Sequence, residues 1–353
     1  VVDRPDQSRR EGGRAYIGSF TSAGGRGVLA ATVDPHTGAL TPTGACAEVP
    51  DPSYLALAPG GRLLYAVSET ERGAVAAFAL DGPAPRPVAE PAPVRGDSPT
   101  HLALAHGHVL TANYGSGSVS ALPLGADGRP GPAIHVVQHQ GGGPDEERQD
   151  GPHAHQVLPD PTGRWVLSVD LGTDSVRISV LDPATGRFTP HAETAVRPGT
   201  GPRHLAFHPA GGHLYVVGEL RPTLTVCRWD DEQGVLVPTA ETPLLPEDGR
   251  AAGYPSEIAV APDGRFAWVA VRGDDSIAVL ALDESGEKPE LLTTVPCGGV
   301  WPRDLVLHPS GRWLYAANER SGDVTWFDVD PETGVPTRAG SVEAPAATCV
   351  VFA

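Results

Sequence analysis

Two short segments about fifty residues apart carry the side chains best suited to chemistry in this chain. The first reads GPHAHQ and places His153 and His155. The second reads GPRHL and places Arg203 and His204, and the strand that follows it ends in VVGEL, with Glu219. An imidazole titrates near neutral pH and can take a proton from water. A guanidinium can hold a carboxylate, a phosphate or a developing oxyanion through two parallel N–H donors. A carboxylate can orient either group and balance its charge. Such a set suits hydrolysis of an ester-like bond by an activated water. No G-x-S-x-G elbow and no Ser-His-Asp pattern is visible, which argues against a covalent acyl-enzyme. His153 and His155, two apart on a strand, would point the same way and offer a metal two nitrogens. No further His or Cys stands ready to complete that site, so neither a metal nor a cofactor is expected.

Both segments open the same kind of unit: Gly-Pro, a polar pair, an apolar run, a Pro-x-Gly turn, a second apolar run and an acid. Two apolar runs around a tight turn make a hairpin, and the polar pair and the closing acid then lie at one end of it. The unit recurs along the whole chain. First strands begin at Pro52, Pro99, Ala154, Pro202, Pro255, Pro302 and Ala346, and each type of strand occurs seven times. The first two strands of each unit are near-continuous apolar runs, as in sheets covered on both faces, and the later two are more polar. The expected fold class is all-β: a seven-bladed β-propeller of four-stranded antiparallel blades. The chain opens on a second-type strand (14–20) and closes on a lone first-type strand (346–353). The last strand is therefore expected to pair with the N-terminal blade and close the ring. Residues 14–353 read as one propeller domain and residues 1–13 (VVDRPDQSRREGG) as a charged tail.

In every unit the first strand starts, and the second ends, on one face of the disc. Polar side chains gather there. His101, His155, Arg203, His204, Glu257, Arg303 and Asp304 stand at strand starts, and Glu69, Asp170, Glu219, Arg272, Asn318 and Glu319 at strand ends. The opposite face carries turn residues such as Asp263 and Gly264, so the polar face is the functional one. His155 is expected at a strand end beside water. The segment 139–151 (HQGGGPDEERQDG) is long, charged and glycine-rich; it enters the polar face and reads as a lid or binding loop.

A formal charge of −17 argues against nucleic acid and against an anionic membrane as partner. No apolar run is long enough for a membrane-spanning helix. Lys288 is the only lysine, so any anion site must be built from Arg or His. Arg203, Arg272 and Arg303 are expected to make the axial mouth attract small anions in spite of the total charge. The absence of lysine and of a glycine-rich phosphate loop from this ring argues against a phosphorylated sugar as substrate. Cys46, Cys227, Cys297 and Cys349 are dispersed without metal-ligand spacing and suit a reducing compartment, the cytoplasm. There is no methionine, so the start is read as processed or truncated, which leaves room for a removed export signal. The expected assembly is a monomer or a weak homo-oligomer.

These motifs resemble the seven-bladed propeller lactonases, a family that includes bacterial 6-phosphogluconolactonases and the fungal carboxy-cis,cis-muconate cyclase. The resemblance runs from YIGSFT at Tyr16 through RQDGPHAHQV, GPRHLAFHP and LYVVGEL to WPRDLVLHPSGRWLYAANERSGDV. It implies hydrolysis of a small anionic lactone. Matched by motif, the His, two Arg and Glu proposed for the cyclase correspond to His155, Arg203, Glu219 and Arg272. His153, His101, His204, Glu257, Arg303, Asp304, Glu69 and Asn318 would line the substrate. Relatives often carry Ser where Gln156 follows His155. The residues alone leave two other readings open. One is a cycloisomerase that forms the lactone; the other is a propeller that binds a small molecule or a protein without chemistry.

Overall fold

A computed structural model describes residues 13–246 and 253–353. All but Gly13 of the segment read as a charged tail lies outside those residues. The strands form seven antiparallel sheets, six of them four-stranded. Each sheet starts at an innermost first-type strand, for example Ala154–Pro159, Pro202–Phe207 or Pro302–Leu307, and steps outward in chain order. The exception is the expected one. Ala347–Phe352 pairs with Arg14–Ser19, in the register Ala15↔Phe352 to Ser19↔Ala347, and supplies the inner strand of the first blade.

The core shows how the blades are held. It divides into seven apolar clusters, each drawn from two consecutive blades, and the last of these joins the seventh blade to the first. A sheet buried on both faces needs apolar residues at successive positions, which is why Leu64–Val67 and Leu214–Val217 are buried without alternation. The outermost strands are mostly exposed instead, as in Phe188–Ala195, where only Phe188 is fully buried. Aromatic side chains tie neighbouring blades further. Tyr65, Tyr215 and Tyr315 donate their hydroxyls to the carbonyls of Gly128, Gly286 and Gly38, at 2.6–2.8 Å.

One strand departs from the expectation. The fourth strand of the second blade is broken into Arg86–Pro87 and Ala92–Pro93, both paired to Ala74–Ala79. Prolines at 83, 85, 87, 91 and 93 remove the N–H groups that a continuous ladder would use.

The closing strand serves two blade interfaces, Ala347 and Val350 on one side and Cys349 on the other. Deleting residues 345–353 should therefore open both interfaces and expose the edge of Arg14–Ser19. Loss of the cooperative thermal transition and a shift to aggregates on size exclusion are expected; a soluble variant melting within a few degrees of the parent would contradict ring closure as a source of stability.

Candidate active site

The inner strands carry an irregularity that builds the site. Pairing runs from Ala154↔Asp170 directly to Gln156↔Val169, from Pro202↔Gly218 to His204↔Val217, and from Pro302↔Asn318 to Asp304↔Ala317. His155, Arg203 and Arg303 are thus the extra residues of β-bulges at the polar end of three blades. Thr100 and Thr348 hold the same place in two more. A bulge re-aims its side chain. In a regular strand Arg203 and His204 would face opposite ways, as would Arg303 and Asp304. Here all four line one small axial chamber with Ser53, Tyr54, Glu69 and Glu257.

His153 and His155 both pack on Tyr114, but against different parts of its ring. His153 stacks on Tyr114 at 4.4 Å, with its Nδ1 3.0 Å from the Tyr114 carbonyl, and forms a side wall. His155 meets Tyr114 edge-on at 5.7 Å and His204 at 5.1 Å. Among the described residues no group of three or more His, Cys, Asp or Glu is arranged to hold a metal ion.

Glu219 is the centre of charge. Arg148 Nη2, Arg272 Nη2 and Arg203 Nε lie 2.6, 2.7 and 3.3 Å from its carboxylate. The contact with Arg203 is an ion pair whose geometry is not that of a hydrogen bond. Arg203 and Arg272 are further pinned by carbonyls: Arg203 Nη1 donates to Ser256 at 2.6 Å and Arg272 Nε to Tyr254 at 3.1 Å. Burial alone would raise the Glu219 pKa, but Arg272, Arg203 and Arg148 outweigh it and hold the carboxyl down at about 2. Arg203 moves the other way from a simple pair. Burial and the neighbouring Arg272 outweigh the help of Glu219 and bring it down to about 9, still cationic at neutral pH.

The imidazoles feel the same field. His155 is only 5% exposed, a correction to its expected place beside water. Burial, then Arg203, push its pKa well below the ordinary value, and its buried Nδ1 has no hydrogen-bond partner. His101 and His204 are lowered in the same way, by burial first. All three are neutral at pH 7.

Deeper on the axis, the chamber is about 10 Å³, near the size one water needs. Tyr54, Glu257 and Asp304 separate it from a cavity of about 320 Å³ that continues along Val260, Leu307 and Val351 toward the opposite face. Burial raises both carboxyls, and Glu257 raises Asp304 further, so the pair retains a proton near neutrality. Asp304 accepts from the Val350 N–H at 2.7 Å, which ties the seventh blade to the closing strand. Glu257 comes within 2.6 Å of His204 Nδ1. Arg303 is fully engaged, 3.2 Å from Glu319 and 3.4 Å from Glu69. Its charge is balanced locally by these two carboxylates, unlike the three arginines that share Glu219.

The second-strand ends split by the two-residue period. Glu69, Glu219, Arg272 and Glu319 face the axis; the residue before each faces the blade. Asn318 is of the second kind. It is fully buried, donates to Thr325 Oγ1 at 3.2 Å and does not reach the site. Asp170 also turns inward, accepting from the His153 N–H at 2.9 Å and holding His139 Nδ1 at 2.6 Å. Ser168 Oγ lies 3.4 Å from His139 Nε2, so a Ser-His-Asp series invisible in the sequence does exist. Its members are at most 6% exposed and far from the axis in function: they anchor one end of the segment 139–151. Gln156 joins two blades by accepting from the Leu205 N–H at 2.7 Å.

Sequence reasoning missed Arg148, which carries a signal in hindsight in the RQDGPHAH motif; Tyr114, with Asn113, counts among the polar second-strand ends of this face. The segment 139–151 does cross the polar face, and it is Arg148 that it delivers there.

A closed seven-bladed ring thus carries an imidazole and an arginine–glutamate cluster at one axial mouth. A family model described as "Lactonase, 7-bladed beta-propeller" matches residues 14–352. The chain belongs to that lactonase family. It is 33% identical over 342 residues to a 6-phosphogluconolactonase of Bacillus subtilis, covering 96% of this chain and 97% of the relative. The periplasmic gluconolactonase of Pseudomonas aeruginosa superposes with a TM-score of 0.90 at 27% identity, over 96% of this chain and 98% of that one. A Lactobacillus plantarum protein superposes at 0.91 with 28% identity, over 97% and 99%. No helix of the described residues is long and apolar enough to cross a membrane.

Proposed function

We propose that the protein hydrolyses a small anionic sugar lactone. The observation that carries this reading is a neutral, buried His155 with an unpartnered ring nitrogen, set beside the cluster of Arg148, Arg203 and Arg272 on Glu219. His155 takes a proton from water as the water oxygen bonds to the lactone carbonyl carbon. The carbonyl electrons move onto oxygen, where Arg203 or Arg272 faces the developing charge. Collapse breaks the bond to the ring oxygen, and His155 returns the proton to that leaving oxygen. The product is the open-chain hydroxy acid. Glu219 keeps the guanidiniums charged and fixed, so they need not reorganise as the oxyanion forms. The names of the relatives support a sugar lactone and differ over whether it carries phosphate.

The test is disappearance of lactone across a panel of phosphorylated and plain sugar lactones, corrected for spontaneous hydrolysis. Acceleration of at least one sugar lactone is expected. A folded protein that accelerates none would overturn the reading in favour of a binding propeller.

A further inference from the structure

We propose that Arg148, carried by the segment 139–151, selects a dianionic phosphoryl group on the substrate. This deepens the lactonase reading and rests on it.

Three guanidiniums meet at Glu219, but they are not equivalent. The side chains of Arg203 and Arg272 are 4% and 7% exposed, and that of Arg148 is 37% exposed. The first two donate to backbone carbonyls. Arg148 uses only Nη2, toward Glu219 at 2.6 Å and toward the Tyr114 hydroxyl at 3.4 Å. Its Nε and Nη1 hydrogens bond no acceptor among the described residues. They stand on either side of the Nη2 that Glu219 holds and leave separate charged donors at the mouth of the site, each able to meet a phosphate oxygen.

Charge points the same way. Three arginines against one glutamate leave a formal +2 around Glu219, while Arg303 is already neutralised by Glu69 and Glu319. A phosphate monoester carries close to −2 at neutral pH. A single carboxylate would leave one charge unmatched. The objection from missing lysine and missing phosphate loop is thereby answered by a residue outside the ring of strand ends.

Arg148 is also held in place before any ligand arrives. Asp145 Oδ1 accepts from the Glu147 and Arg148 N–H groups, both at 3.0 Å. Gln149 Nε2 donates to the Leu171 carbonyl at 2.8 Å, and His139 is fixed by Asp170 at the other end of the segment. A charged group on a built turn loses little freedom on binding.

The competing role is structural, with Arg148 merely tying the segment to Glu219. Arg148→Gln and Arg148→Lys separate the two roles. Steady-state constants are measured for 6-phosphogluconolactone and for gluconolactone, and binding of 6-phosphogluconate is measured by calorimetry. The wild type should prefer the phosphorylated lactone. Arg148→Gln should lower the ratio of the two kcat/KM values by about 10- to 100-fold, mainly through KM of the phosphorylated substrate. Arg148→Lys, which keeps the charge and cannot hold Glu219 while presenting further donors on a rigid plane, should fall between. Binding of 6-phosphogluconate should weaken in step. An equal loss on both lactones, or no preference in the wild type, overturns the proposal. Should the protein hydrolyse neither lactone, the lactonase reading fails, and calorimetry still decides on Arg148: equal binding by the wild type and Arg148→Gln overturns its role.

Discussion

Replacing His155 with Ala should lower turnover of the best lactone by about 10²- to 10⁴-fold, the usual contribution of a positioned general base. The side chain is buried against Tyr114 and His204. Circular dichroism and a thermal melt of the variant must therefore accompany the rates, and His155→Gln, closer in volume, serves as a second test. The pH profile gives an independent check with a definite sign. A base works when neutral, and burial with the nearby Arg203 keeps His155 neutral to well below its ordinary value of 6.5. Measured on gluconolactone, which has no phosphate to titrate near pH 6, the kcat/KM profile should stay flat as pH falls through 6.5 and drop only below it. An anionic substrate adds negative charge beside the imidazole and stabilises its protonated form. The acid limb of kcat should therefore lie at higher pH than that of kcat/KM. Unchanged turnover in a folded His155→Ala would sink the assignment and move attention to Glu219 or to a binding role.

The propeller was legible because its signals are local. Apolar runs, Pro-x-Gly turns and seven recurrences of each strand type are properties of adjacent residues, and the offset ends follow from counting them. The identity of the polar face was legible for the same reason. The orientation of its side chains was not. Nothing in the types of His155, Arg203 or Arg303 marks a bulge, and only the pairing Ala154↔Asp170 and Gln156↔Val169 reveals the extra residue. The same hidden parity separates Glu319, which faces the axis, from Asn318, which caps its own blade. Arg148 sits in a segment with no period at all, so its partner 71 residues away could not be read from spacing. His139, Ser168 and Asp170 likewise meet only through tertiary packing. Where residues act through their immediate neighbours the sequence is explicit; where they act through a partner strand or a crossing segment it is silent.

Glu219→Gln should be the most destabilising single substitution in the site. Its carboxylate is almost fully buried and is the shared counter-ion of Arg148, Arg203 and Arg272. Removing one member of a buried ion cluster leaves the others uncompensated and typically costs about 3–5 kcal/mol. The depressed pKa gives a consistent scale. A fall from 4.5 to about 2 corresponds to about 3 kcal/mol at neutral pH, an order-of-magnitude figure. The sign follows from linkage. A carboxyl with a lowered folded pKa stabilises the fold above its unfolded pKa and loses that contribution as pH falls toward its folded one. Urea unfolding should thus show a wide gap between wild type and Glu219→Gln at pH 7. The gap should narrow as pH drops below about 4.5, where the unfolded chain begins to bind a proton that the folded carboxylate still refuses, and close toward the folded pKa of about 2. Adding Arg272→Met to Glu219→Gln should recover part of the loss, because it removes one of the charges left unpaired. Activity should not return with stability, since one of the two guanidiniums placed to face the oxyanion is then gone and the other has lost its counter-ion. A gap under about 1 kcal/mol at pH 7, or one that is constant with pH, would show that the three arginines do not depend on Glu219 for their charge.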